Sequence, residues 1–413
     1  MYAMILHLTK KSAPDYKTSG DWLPLCHVSK PAEFMSSWFQ NNSCTPFANS
    51  TAPCELGTYA SYSIDVRSIR DVKAGLAFAQ IHNLRLTVKN SRQDFFGKST
   101  GKGALSLWVH NLNSSTLIPQ HNASYYNGPA IRIGAGVEGS DAVAFAVTKG
   151  YRVGGGHSLL SGKYGFGSDN VLEWEAITVS GEHITATPTN QHSDLYWALS
   201  GGGGGTYVIV MSITVRAFPE GDDISLASLS ITVENAGGVD AYWDAVSIYH
   251  VQLQPLVDQG FVAEYMITND SLNLYGMIAP GHTAESLRST MNPMLSALTS
   301  NVSSTLTVDA IELTITQRST YHALYTATIG PLMVNNTFVP AVSGRFLPRE
   351  VIENDSATWH ASLRRATSIG NGYLASITTL NTRNKQRLAA VAPNSLQPNF
   401  ETAFSSIIIT PTG

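Results

Sequence analysis

The sequence predicts an α+β chain of two domains, and three features carry that prediction. With 413 residues the chain exceeds what one hydrophobic core usually serves. Its first half reads as strand, helix, strand and glycine-rich loop, an α/β arrangement. In the second half strands outnumber helices and the loops are long, which suits an antiparallel sheet with helices on one face. Pro219-Glu220-Gly221 punctuates the chain between these textures, so the expected limits are an irregular lead-in over 1–55, a first domain over 56–219 and a second over 220–413.

In order, Pro, Ser and Asn are dispersed through the lead-in among Trp22, Trp38 and Phe39. Ser61–Val66 alternates as a short strand, and Ser68-Ile69-Arg70-Asp71 opens an amphipathic helix that Asn83 ends. Val72, Leu76, Phe78, Ala79 and Ile81 form its expected buried stripe. Leu84–Val88 is an apolar-rich strand leading into the next loop, and Ala104–Val109 and Ala130–Ile133 read as further strands. Gly134-Ala135-Gly136-Val137 turns the chain into a helix over Ser140–Thr148. Val171–Val179 alternates in period two, with a hairpin turn at Ser180-Gly181-Glu182. Asp194–Leu199 is a helical turn before the low-complexity run Gly201–Gly205, and Tyr207–Ala217 is β-prone. Val66, Leu84, Leu86, Val171 and Val179 are expected to pack the core of this half. Beyond Gly221 the expected strands are Ile224–Val233, Val262–Thr268, Leu272–Met277, Thr305–Leu313 and Gly372–Thr379, with helices near 240–258, 284–299 and 349–367.

Composition narrows the function. At 43% hydrophobic and 14% charged, with net charge −4, the chain reads as a soluble globular protein with no basic face for nucleic acid. No apolar run approaches the roughly 18 residues of a membrane span. The N-terminus MYAMILHLTKK places its lysines after a few apolar residues, the reverse of a signal peptide. Eight N-x-[ST] sequons nevertheless occur, at Asn41, Asn49, Asn113, Asn122, Asn269, Asn301, Asn335 and Asn354, which points to a secretory ancestry. Cys44 and Cys54 enclose a short loop suited to a disulfide, leaving Cys26 over. His110, His121, His183 and His192 have no H-x-x-x-H or H-x-H spacing, so no metal is expected. Tyr125, Tyr126 and Tyr321 are candidates to line a pocket.

The stretch richest in chemistry is Gly154–Trp174, GGGHSLLSGKYGFGSDNVLEW. Three consecutive glycines permit φ > 0 and expose bare N–H groups that can hold an anion such as a pyrophosphate. Familiar phosphate motifs do not fit. A P-loop needs four residues between its glycines and Ser or Thr after its Lys, whereas five separate Gly156 from Gly162 and Tyr164 follows Lys163. The dinucleotide fingerprint begun at Gly165-Phe166-Gly167 ends in Asn170, and a nucleophile elbow at Ser158 would need Gly where Leu160 stands.

The run GGGHSLLSGKYGFGSDNVLEWEAITVSGE (154–182) resembles the flavin domain of berberine bridge enzyme-like oxidases, fungal FAD-linked oxidoreductases of the p-cresol methylhydroxylase fold. VKNSRQDFFGKSTGKGALSLWVHNLN (88–113) is similar to the family's first FAD loop, and DLYWALSGGGGGTYVIVMSITVRAFPE (194–220) to its closing glycine-rich strand. The resemblance implies a p-cresol methylhydroxylase-type FAD-binding domain followed by a substrate domain. It implies FAD-dependent oxidation of an alcohol or activated C–H bond in a small, secondary-metabolite-type substrate, with oxygen as acceptor. Onto the first loop fall Asn90, Ser91, Arg92, Gln93, Asp94, Gly97 and Ser99. Gly154, Gly155, Gly156, His157 and Ser158 fall onto the glycine turn, Asp169 and Asn170 onto a hydrogen-bonding turn near the cofactor, and Val208 onto the closing strand.

Four departures from the family pattern qualify this reading. Arg92-Gln93 stand where relatives carry Gly-His, the histidine being covalently bound to flavin; Gln93 cannot form that bond, so FAD is expected to be non-covalent. A second anchoring cysteine, in a loop before the glycine turn, has no counterpart, because Gly150–Val153 lead directly to Gly154. Val208 replaces a common glycine, and the chain stops at Gly413 where relatives continue into a segment bearing a Tyr-x-Asn element. Relatives also begin with a leader, so secretion is expected by resemblance although MYAMILHLTKK does not read as one. A non-redox cyclase on the same fold, or a relative without activity, are the rival readings. Neither the catalytic base nor the oligomeric state is written in any motif.

Overall fold

The computed structural model describes residues 55–90, 94, 97–154, 158–221, 223–303, 305–328, 343–369, 372–380, 385 and 387–411. Strands β1 (Tyr62–Asp65), β2 (Leu86–Lys89) and β3 (Leu105–Trp108) form a small parallel sheet in the order β1-β3-β2. Helix α1 (Ile69–Ile81) makes the crossover from β1 to β2, its first turn capped by the Ser68 side chain accepting from the Asp71 N–H. Val72 and Leu76 are buried against Val66 and Leu107, and Ala79 is buried as well. Phe78 and Ile81 are not: they are 38% and 77% exposed. At 100° per residue they lie off the i, i+4, i+7 line that a small sheet covers. Leu84 and Val179, also expected inside, are 39% and 70% exposed because each falls two residues outside its strand.

A five-stranded antiparallel sheet follows, β4 (Ser115–Ala123), β5 (Tyr126–Gly134), β7 (Val171–Ile177), β8 (His183–Ala186) and β9 (Ile209–Arg216), in the order β4-β5-β9-β7-β8. β4 was not legible as a strand. It contains Pro119, and it sits at the sheet edge with a register shift between Ile118 and His121, where a missing N–H is tolerated. Helices α2 (Gly139–Thr148), α3 (Ser161–Tyr164) and α4 (Ser193–Gly202) connect these strands. β6 (Tyr151–Arg152) pairs with β10 (Phe218–Pro219) as a separate ribbon.

The second half builds a seven-stranded antiparallel sheet in the order β14-β11-β13-β12-β16-β17-β15. Its strands are β11 (Ile224–Thr232), β12 (Val262–Ile267), β13 (Ser271–Pro280), β14 (Thr314–Arg318), β15 (Ser343–Pro348), β16 (Tyr373–Thr379) and β17 (Ala403–Pro411). Helices α5 (Val239–Asp258), α6 (Ala284–Asn301), α7 (Tyr321–Ala327), α8 (Arg349–Asn354) and α9 (Ser356–Thr367) accompany it. Tyr242, Val246, Tyr249 and Leu253 of α5 and Leu287, Met291, Met294 and Leu298 of α6 bury one stripe each against Leu229, Ala263, Tyr265 and Ile377. The expected strand Thr305–Leu313 is instead a series of turns that buries Leu306 and Ile311 and gives Glu312 a φ of +52°. The single helix expected over 349–367 breaks at Asp355. No helix among the described residues is long and apolar enough to cross a membrane. The expected Cys44–Cys54 pairing lies outside the described residues.

Candidate active site

Ligands of parallel sheets bind outside the carboxyl ends of the strands, and here those ends are Asp65, Lys89 and Trp108. Asn90 follows directly; its side-chain amide donates to the Ala135 carbonyl of the Gly134–Val137 turn. That turn presses on the loop after β3 so closely that a Cβ on Gly136 would stand 2.0 Å from the His110 carbonyl. Only glycine fits there. Asp94 closes the loop after β2 by accepting from the Ser99 N–H at 2.7 Å and the Ser99 hydroxyl at 2.5 Å, and Gly97 takes a φ of +68°. Ser91, Arg92, Gln93, Gly155, Gly156 and His157 lie outside the described residues.

Along this edge Asn90 Oδ1, Trp108 Nε1 and His110 Nδ1 are buried without a hydrogen-bond partner among the described residues, and the Trp108 and His110 rings stack at 5.5 Å. Orphaned buried polar atoms cost about 1–3 kcal/mol each. A polar ligand with donors and acceptors of its own relieves that cost, and the pyrophosphate, ribose and ring edges of FAD are such groups. The residues present therefore fit FAD.

After Gly154, Ser158 donates its N–H to the Ser161 hydroxyl at 2.9 Å, which starts α3. Asp169 and Asn170 spend their hydrogen bonds on the chain itself. Asp169 accepts from the Phe166 N–H at 2.8 Å, from Asn394 at 3.0 Å and from Arg387 at 3.0 Å. The Asn170 amide donates to the Tyr164 and Phe166 carbonyls and accepts from Arg216 Nε at 2.9 Å. These two residues lock the Gly165–Asn170 turn against β9 and against the late segment around 387–394. Val208 stands apart, buried among Ala176, Ile184 and Leu199.

A second wall comes from the seven-stranded sheet. Leu159, Leu160 and Tyr164 pack against Ile224, Leu226, Val262 and Ile278 on the face turned away from α5 and α6, together with Tyr321 and Leu324. α3 approaches so closely that a Cβ on Gly162 would stand 2.0 Å from the Gly260 carbonyl. Tyr321, expected at a pocket, belongs to this wall; burial raises its phenol, and Glu264 raises it further. Tyr125 and Tyr126 do not belong to it, since Tyr125 lies in the turn of the β4–β5 hairpin and Tyr126 opens β5, donating to the Pro129 carbonyl. Glu264 was missed. Its signal was available: it is the one charged residue in the strand Val-Ala-Glu-Tyr-Met-Ile.

No protein-family model matches the chain. It is 40% identical over 359 residues to a VAO-type flavoprotein oxidase, VAO615, of Thermothelomyces thermophilus, covering 83% of this chain and 61% of that protein. It is 42% identical over 280 residues to the FAD-linked oxidoreductase sthB of Phaeosphaeria nodorum, covering 64% of this chain and 88% of that one. The crystal structure of the VAO-type flavoprotein MtVAO615 from Myceliophthora thermophila superposes with a TM-score of 0.84 at 34% identity, over 97% of this chain and 76% of that one. The chain thus spans about three fifths of the length of the first of these relatives. The fold class expected from the sequence stands, and FAD is the cofactor of these relatives. The chain belongs to the fungal berberine bridge enzyme-like FAD-linked oxidoreductases, on the VAO and p-cresol methylhydroxylase type of fold.

Proposed function

We propose that this protein oxidises an alcohol or an activated C–H bond of a small molecule, with FAD as the immediate acceptor and oxygen as the final one. The observation that supports this is the row of orphaned buried polar atoms at the carboxyl edge of the parallel sheet. That edge, at Asn90, Trp108 and His110, suits a flavin nucleotide, and the segment after the glycine turn, Leu159–Tyr164, docks against Ile224, Leu226, Val262 and Ile278 of the seven-stranded sheet. When bound, FAD supplies a two-electron acceptor that the protein orients and tunes. The chain's own residues shape the turns and exclude water from the apolar contact at Val262 and Tyr164.

The test is to purify the protein with FAD and offer a panel of alcohols in an oxygen electrode. Oxygen uptake with an equal yield of peroxide and of carbonyl product supports the reading. A product formed without oxygen uptake favours the cyclase. A colourless protein that FAD cannot reconstitute overturns both. We further propose that the protein is secreted and glycosylated: Asn113, Asn122, Asn269, Asn301 and Asn354, five of the sequon asparagines, are all exposed. A mass shift reversed by an N-glycosidase on protein from a secreting fungal host tests it.

A further inference from the structure

We propose that Glu264 is the residue that takes the proton from an alcohol substrate, an assignment that rests on the oxidoreductase reading above. The geometry starts with strand alternation. On β12, Ala263, Tyr265 and Ile267 point into the core beneath the helices, so Val262, Glu264 and Met266 take the other face. Val262 on that face touches the segment that follows the glycine turn. Glu264 lies one pleat further along.

Its neighbours across the sheet are set by register. Glu264 pairs with Gly276 on β13 and with Thr378 on β16, and Thr378 pairs with Ser406 on β17. Residues directly opposite in an antiparallel ladder share a face, with Cβ atoms about 4.5–5.5 Å apart. A polar row, Glu264-Thr378-Ser406, therefore crosses three strands, and on its other flank Gly276 has no side chain to fill the space. The ladder also shifts register between Glu264 and Tyr265. Leu274 and Met277 both lie in the helix-side core, so the two residues between them, Tyr275 and Gly276, turn to Glu264's face. Tyr321 and Tyr325 complete the surroundings, close enough for the carboxylate's charge to raise both phenols.

Glu264 is half-buried, and a carboxylate drawn out of water gains from a partner. Two better-buried carboxylates, Glu220 and Asp169, are paired with Arg152 and Arg387. Glu264 has no ion pair and no hydrogen bond among the described residues. Burial raises its pKa above the ordinary carboxylate range, toward the value at which a general base works best near neutral pH. In the proposed role the substrate O–H bond breaks and its proton goes to a Glu264 oxygen. The adjacent C–H bond breaks with its electron pair, which leaves as hydride to oxidised flavin. The substrate loses two electrons and becomes a carbonyl compound, and Glu264 passes its proton to water.

The experiment compares the FAD-loaded wild type with Glu264→Gln and Glu264→Asp. It uses anaerobic stopped flow with benzyl alcohol, 1-butanol and glucose, from about pH 5 to 9, with a substrate-free titration of the flavin spectrum alongside. The expected result is flavin bleaching slowed by about 100-fold or more in Glu264→Gln. Apparent affinity should stay within a few fold, the acid limb should vanish, and Glu264→Asp should recover part of the rate. Wild-type bleaching and an unchanged pH profile in Glu264→Gln overturn the assignment. If none of the three alcohols bleaches the wild type, the spectral titration decides. A transition lost in Glu264→Gln supports a carboxylate facing the flavin, and the same transition in both proteins overturns it. Failure to bind FAD sinks the oxidoreductase reading itself, whereas a working flavoprotein indifferent to residue 264 sinks only this assignment.

Discussion

Arg152 Nε donates to Glu220 Oε2 at 2.5 Å with the two side chains 1% and 9% exposed. The other oxygen of Glu220 accepts the Tyr321 N–H at 2.9 Å. One carboxylate thus ties together β6, the connection between the two large sheets, and α7, which carries part of the proposed substrate wall. Removing one partner of a buried pair strands the other charge, at about 3–5 kcal/mol. Glu220→Ala is therefore expected to lower the thermal midpoint by roughly 10 °C, at about 2–4 °C per kcal/mol. Thermal unfolding followed by circular dichroism measures this, and an unchanged midpoint would contradict the pairing.

Gly162→Ala tests the closeness of α3 to the seven-stranded sheet. The new Cβ meets the Gly260 carbonyl at 2.0 Å, so backbone has to move. The expected loss is about 1–3 kcal/mol of stability, together with weaker FAD binding because the glycine turn shifts with α3. Gly221→Ala, with nothing within 4 Å of its Cβ, is the control and should stay within about 0.5 kcal/mol. Fluorescence titration with FAD and a denaturant midpoint on both variants separate the two outcomes.

A buried chain of neutral groups predicts acid sensitivity. Ser247 Oγ and His360 Nδ1 are 3.1 Å apart, His360 Nε2 and His250 Nδ1 3.0 Å, and His250 Nε2 and the Tyr265 hydroxyl 3.0 Å. Burial, and secondarily the charge of His360, pushes His250 down to about 3, and burial lowers His360 as well. Because both folded values lie below the unfolded one, the unfolded chain binds more protons in acid. This contribution to stability is fully present above about pH 6.5 and is lost as pH falls toward about 3. The slope approaches about 1.4 kcal/mol per pH unit for each group. His250→Phe should be less stable at neutral pH yet lose stability more gradually between about pH 6 and 4. An identical slope in urea denaturation series would count against the network.

FAD should leave the protein intact on acid denaturation. Gln93 is an amide, and no cysteine occurs after Cys54. Neither covalent flavin anchor of the family can form at those positions. Yellow colour that stays with the polypeptide after acid precipitation and filtration would refute this; full release into the filtrate is expected.

What the sequence by itself determined was whatever repeats over a short span. The stripes of Val239–Asp258 and Ala284–Asn301 and the alternation of Val262–Ile267 are local periodicities, and they appear where expected. The three glycine-bearing motifs carried the family resemblance by residue order alone, since a ligand-gripping loop needs particular residues close together in the chain. Only the tertiary structure decided the rest. β4 survives Pro119 because it lies on an edge, and Thr305–Leu313 gives up its alternation because Leu306 and Ile311 are buried as turns. The segment 387–395 returns across the chain to Asp169 and Ser200, contacts more than 190 residues distant that leave no local pattern. Glu264 shows the division most plainly. Alternation assigns its face, but what that face meets, and hence whether the carboxylate is paired, depends on the packing of Leu159–Tyr164 against a strand about a hundred residues away.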